Sequence, residues 1–317
     1  MASEKNTRQA IPTRINLFLA LVFAAVNVYQ FFILPLWILP EDMRWAWTLL
    51  PLAFLNNPFW SLIHEAIHDL FHKARSVNRG FGRALSVMFG SPFRILRLSH
   101  LLHHRVNRTP IEGTEFYDRK RVSLLSAGLG YYFQILGGLY LVEFLSPLLF
   151  FLPRRLIRGF KDRFIKSGSI SAILMQNWVQ EEAIREIRLD GALVLLWFGG
   201  SLYGYGAHWS LWLALVAARA FLISFLDNVY HYLTPVNDIF YAQNLRLPPP
   251  LRHGMLHFNL HGIHHQNPAI PWIHLPSVFK KEERSFHGNY FAAAVNQLSG
   301  PVALQDLPWG VDNLNPG

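Results

Sequence analysis

Ile15 to Leu39 runs for 25 residues without one charged side chain. A helix rises about 1.5 Å per residue, so this run crosses the roughly 30 Å hydrocarbon layer of a bilayer with some tilt. In lipid every backbone N–H and C=O needs an internal partner, so the run must be helical. Met1 to Arg14 is polar. The apolar run is too long for a signal-peptide core and lacks a clear small-residue cleavage site, so it reads as a retained span. After a polar break at Pro40–Arg44, Trp45 to Ile63 reads as the return span, opened by tryptophans that suit an interface. Val122 to Leu152 is mostly apolar with a single Glu143. Ala192 to Tyr205 and Ser210 to Leu226 form a further pair, the second carrying one charge, Arg219. The whole chain is 51% hydrophobic and 15% charged, against about 25% charged in soluble domains, which fits a protein whose solvent is partly lipid.

The excess charge orients these spans. Net charge is +9. The chain carries no basic-plus-aromatic recognition module, so no nucleic acid is expected. The basic stretches Lys73–Arg121 and Pro153–Lys166 both read as cytoplasmic. The segment 122–152 between them is then expected to enter and leave on one side, as a tight hairpin or re-entrant pair turning near Gly137–Gly138; the alternative is one long tilted span that leaves the second basic stretch outside. The expected fold is an all-α integral membrane protein of two or three transmembrane hairpins, with a cytoplasmic helical cap. The N-terminal tail 1–14 is cytoplasmic, 15–280 is one membrane domain, and 281–317 is a C-terminal tail packed on the cap. A bacterial inner membrane is the expected location.

Fifteen histidines are present, and most cluster. SLIHEAIHDLFHK holds His64, His68 and His72. RLSHLLHHR holds His100, His103 and His104. HFNLHGIHHQ holds His257, His261, His264 and His265, and His231 stands alone in LDNVYHYLTP. Positions i, i+3 and i+4 share one helix face, with Cβ atoms about 5–6 Å apart, so HxxxH aims two imidazoles together and HxxHH three. Neutral imidazole is a good ligand for iron, zinc, copper and nickel. At about 5% His, one HxxHH arises by chance in roughly 0.03 chains of this length, and two are far rarer. So many half-buried imidazoles are costly unless something binds them. There is no cysteine, which excludes Cys-ligated zinc and iron–sulfur clusters on the chain's own residues. HEAIH also fits a zinc hydrolase with Glu65 as base, but eight or nine imidazoles suffice for two metals, and two irons on such a site suggest O2 activation. A metal transporter would place its ligands inside the spans, whereas these histidines lie at span ends and in loops.

HEAIH, HLLHH and HGIHH, with apolar spans between them, resemble the histidine boxes of the membrane-bound fatty-acid desaturase superfamily. That superfamily also includes alkane hydroxylases, carotenoid ketolases and 1-alkene-forming fatty-acid decarboxylases. The resemblance covers roughly residues 15–280. It implies a diiron centre, with O2 as co-substrate, held by His64, His68, His100, His103, His104, His261, His264 and His265. His231 matches a ninth ligand after the last span, and Asn228 a position that reaches iron through water. Glu65, Asp69 and Asp227 are candidates to orient the imidazoles, with His72 and His257 as further outer-layer candidates. The resemblance implies attack on an unactivated C–H bond of a lipophilic acyl chain. Desaturation is the first expectation, with 1-alkene-forming decarboxylation or hydroxylation of a fatty acid or alkane as alternatives. The HPGG motif of fused haem domains is absent, so a separate ferredoxin, rubredoxin or cytochrome is the expected electron donor. Membrane lipid is the remaining expected partner.

Overall fold

The computed structural model describes residues 9–109, 111–112, 115–236 and 238–307. The start of the tail 1–14 and the last ten residues of the tail 281–317 lie outside them. Helix α1 (Thr13–Val28) continues as a π-helical stretch, Tyr29–Ile38. A 3-10 turn (Met43–Thr48), α2 (Leu49–Ala53) and α3 (Asn56–Ile67) follow, then α4 (Arg75–Phe89) and α5 (Phe93–Val106). After β1 (Phe116–Tyr117) come α6 (Leu124–Phe133), α7 (Leu139–Phe150), α8 (Arg154–Phe164), α9 (Ile170–Trp178), α10 (Glu181–Tyr205) and α11 (Trp209–Asn228). The remainder is short: β2 (Leu245–Arg246), α12 (Pro249–Gly254), α13 (His261–Gln266), α14 (Leu275–Lys281), β3 (Gly288–Asn289), α15 (Tyr290–Asn296) and β4 (Val302–Ala303). The strands form two parallel pairs, β1 with β4 and β2 with β3.

Among the described residues, three segments are long and apolar enough to cross a membrane: Thr13–Ile38, Leu124–Phe150 and Glu181–Asn228. The last folds on itself. The Trp212 indole N–H donates to the Ser201 hydroxyl, and Val194 packs with Leu215 and Val216. The expected return span 45–63 is not among these segments. Pro51 and Pro58 each lack a backbone N–H, and the chain breaks at Phe54–Leu55 before restarting on Asn56 and Asn57. Its last part, α3, is buried along its whole length.

Segment 124–150 kinks at Gly137, whose φ of 135° is open to glycine and strained for other residues. Gly137 sits against Ala220 of α11. Tyr131 and Tyr132 donate to the carbonyls of Gln297 and Leu298, while Phe150 packs with Ile95 of α5 and Ile187 of α10. The first end of this segment therefore meets the turn at Gln297–Leu298, and the second meets α5 and the first turns of α10, at the end of the spans where the short elements gather. The same end holds the start of α1, where the Asn16 amide donates to the carbonyls of Leu70 and Phe71 and accepts from the Trp272 indole. It also holds the finish of α11, where the Asn228 amide donates to Gln297. We call this end, where the short helices gather, the cap.

Arg219 of α11 is fully buried and ties α11 to α1, α3 and the end of α4. Its Nε donates to Asn56 Oδ1 at 2.7 Å and Nη2 to Asn27 Oδ1 at 2.7 Å. Nη1 donates to the carbonyls of Met88 and Phe89 at 2.8 and 3.1 Å, which end α4. Those carbonyls have no intrahelical donor and carry the negative end of the helix dipole, so a guanidinium suits them. The guanidinium also lies 5.1 Å from the Phe31 ring centroid.

Candidate metal centre

The nine predicted imidazoles come together as two adjacent groups. His64, His68, His100, His104 and His264 form one, and His103, His231, His261 and His265 the other. Within each group the potential ligand atoms lie within 4.8 Å of one another. Helix geometry explains the partition. Residues four apart on a helix are rotated by only about 40°, while neighbours differ by about 100°. So the i, i+4 pairs His64/His68, His100/His104 and His261/His265 each share a group. The adjacent pairs His103/His104 and His264/His265 are split between the two. The groups touch where the His104 and His265 rings stack with centroids 4.3 Å apart.

Each box is held by its own backbone. Helix α3 buries His64 at its last turn, and α5 carries the second box. Arg108, just beyond α5, pairs with buried Glu115 at 2.9 Å and donates to the Thr234 carbonyl. That bond draws the turn carrying His231 against the second box, and His231 lies 4.7 Å from His103 between ring centroids. The third box sits on α13, which needs Gly262. A Cβ there would collide with the Ala242 carbonyl and lie 2.9 Å from the Asn244 amide nitrogen.

The geometry fits metal ions. The Nε2 atoms of His68 and His100, and of His100 and His104, are 3.0 Å apart. His104–His264 and His261–His265 are at 3.1 Å, and His103–His265 at 3.3 Å. Two nitrogens held about 2.1 Å from one ion at 90–110° would stand roughly 3.0–3.4 Å apart. The buried Nε2 of His64 has no hydrogen-bond partner among the described residues. Burial, reinforced by neighbouring imidazoles, pushes His64, His100, His231, His261, His264 and His265 well below the ordinary imidazole range. Burial pushes His104 down to about 3. These side chains are therefore neutral, as a ligand must be. His103 differs: burial lowers it, but Glu112 at 2.7 Å outweighs burial and raises it.

A family model described as Fatty acid desaturase matches residues 43–293. The chain belongs to the fatty acid desaturase family. No curated protein gives a significant match. Membership makes an oxidoreductase the coarse reading of this desaturase-family chain, and the histidine groups are compatible with a bound metal.

The outer-layer candidates are placed as follows. Glu65 lines a pocket with His64, His261 and His264, and its Oε2 accepts from the Trp272 backbone N–H. Asp69 pairs with Arg97 at 3.0 Å and accepts from Asn78. Asp227 accepts from the Trp60 indole, and Asn228 turns to Gln297. His72 accepts from the Ala74 N–H, and His257 packs between His253 and Trp272. Neither His72 nor His257 joins a group. Of the arginines near the boxes, Arg94 pairs with Glu186 and Arg97 with Asp69, while Arg105 is exposed.

Sequence reasoning missed Glu112. It lies in a loop eight residues past His104, where no periodicity marks it, yet it accepts from His103 Nδ1 and so aims Nε2 at the group. Glu112→Ala is expected to weaken metal retention about 10- to 100-fold, with partial recovery in Glu112→Gln. Chelator titration of the purified variants measures this, and unchanged retention in Glu112→Ala would contradict the orienting role.

Proposed function

We propose that this desaturase-family chain is an O2-dependent diiron enzyme that desaturates a fatty acyl chain. The observation that carries the reading is the gathering of nine imidazoles, without thiolates, into adjacent groups of five and four. His64, His68, His100, His104 and His264 would hold one iron, and His103, His231, His261 and His265 the other. A bound iron pair would supply the O2 chemistry that removes hydrogen from an unactivated C–H bond, with O2 as the oxidant and two electrons from the separate donor. The protein supplies position and dryness. His64, His261, His264 and His265 are each at most 3% exposed, which keeps bulk water from the reacting chain. Ser61, Leu256, Phe258, Trp272 and Leu275 complete the small pocket at His64, and all but Ser61 give it apolar surface. Burial pushes Glu65 up to about 8. Its Oε2 accepts from the Trp272 backbone N–H.

In this reading Asn228, Glu65, Asp69, Asp227, His72 and His257 tune or support the metal site without binding it directly. The cap faces the cytoplasm of a bacterial inner membrane, supported by the basic stretches it carries. Electrons come from a separate ferredoxin, rubredoxin or cytochrome. The test is gas chromatography with mass spectrometry on cells expressing the chain, covering both fatty acids and headspace hydrocarbons. A new double bond in the acyl chains is expected. A terminal alkene one carbon shorter than a host acid, or a hydroxy acid, would overturn desaturation in favour of decarboxylation or hydroxylation at the same site.

A further inference from the structure

Helix α8, RRLIRGFKDRF, presents three distinct faces. Ile157 is fully buried among Ile95, Phe150 and Ile187, and Arg154 beside it donates to the Val179 carbonyl. One face is thus committed to the protein. Leu156, Phe160 and Phe164 recur every four residues, so they form a single stripe, and they are 53%, 41% and 67% exposed. Arg155, Arg158 and Arg163 are exposed on the remaining arc. The helix carries five basic residues against one acid, Asp162, which pairs with Lys161.

Three bulky apolar side chains on the surface need a cover, and the position of α8 says which. It starts four residues after α7 ends, and α7 belongs to a segment apolar enough for a membrane. Leu148, Phe151 and Leu152 are exposed on the way from α7 to α8 and continue the apolar surface into the stripe. The elements packed on α8 belong to the cap end, so the helix stands where cap meets membrane. An apolar stripe beside a basic arc is the pattern of a helix lying in the plane of a bilayer surface.

We propose that α8 is an interfacial anchor: Leu156, Phe160 and Phe164 insert among acyl chains, while Arg155, Arg158 and Arg163 engage anionic lipid headgroups. The charge complementarity favours anionic over zwitterionic lipid. The inference does not depend on the metal site or on the reaction assigned to it.

The chain has no cysteine, so a single introduced thiol labels cleanly. Phe164→Cys and Arg155→Cys, each in the full chain and carrying an environment-sensitive fluorophore, are placed in nanodiscs of mixed phosphatidylglycerol and phosphatidylcholine. Quenching by nitroxide on the lipid acyl chain should be several-fold stronger at position 164 than at 155, and quenching by aqueous iodide the reverse. Iodide access at 164 equal to that at 155 overturns the insertion and leaves the stripe free for a protein partner. Thermal transitions of the unlabelled protein test the headgroup half. Phosphatidylglycerol should raise the transition relative to phosphatidylcholine alone, and an Arg155→Glu/Arg158→Glu variant should lose that increase. Equal transitions of the wild-type chain in the two lipids overturn anionic recognition.

Discussion

His265→Ala is expected to lower turnover by more than about 100-fold and to reduce bound iron from about two ions per chain to about one. Loss of an outer partner to a ligand costs about 10- to 100-fold, and His265 would be a ligand itself. Its Nε2 stands 3.1 Å from that of His261 and 3.3 Å from that of His103, so the four-membered group would keep three imidazoles. The five-membered group keeps all its members. Product analysis by gas chromatography gives turnover, and metal analysis gives iron per chain. Full activity in this variant would remove the third box from the proposed centre.

Arg219→Met should be the most destabilising single change outside the histidines, by about 3–5 kcal/mol. The methionine fills much of the space but donates nothing. Asn27 Oδ1, Asn56 Oδ1 and the Met88 carbonyl lose the donor that Arg219 gives them. Phe89 keeps the Tyr140 hydroxyl as a donor. Arg219→Lys should recover little of the loss, because one ammonium cannot match a fork that reaches Asn27 and Asn56 together. The thermal transition of the purified protein should fall on the order of 10 °C. An unchanged transition would mean that the α1, α3 and α4 contacts do not hold the bundle together.

The ligand candidates were legible because helical spacing is a local property. His64/His68, His100/His104 and His261/His265 each announce a shared face, and the structure gathers each pair. How the boxes interlock was not legible. Local spacing separates His103 from His104, but that His103 meets His231, His261 and His265 while His104 meets His264 depends on how α5 and α13 pack, which no local pattern encodes. Glu112 was hidden for the same reason, since only the path of its loop brings it to His103. The kink at Gly137 falls at the glycine pair that the sequence offered as a break in this segment. The break in 45–63 was underestimated. Hydropathy averages over Pro51, Asn56, Asn57 and Pro58, whereas helix continuity does not. Arg219 was visible as the lone charge of its span, but its acceptors lie on α1, α3 and α4, far away in sequence.

The central claim is that the two imidazole groups hold an iron pair. Metal content of the purified full-length chain, expressed with ample iron and measured together with zinc, copper and manganese, tests it most directly. About two irons per chain, falling to about one in His265→Ala, is the predicted result. A single zinc per chain, or no stoichiometric metal from iron-replete cells, would contradict it.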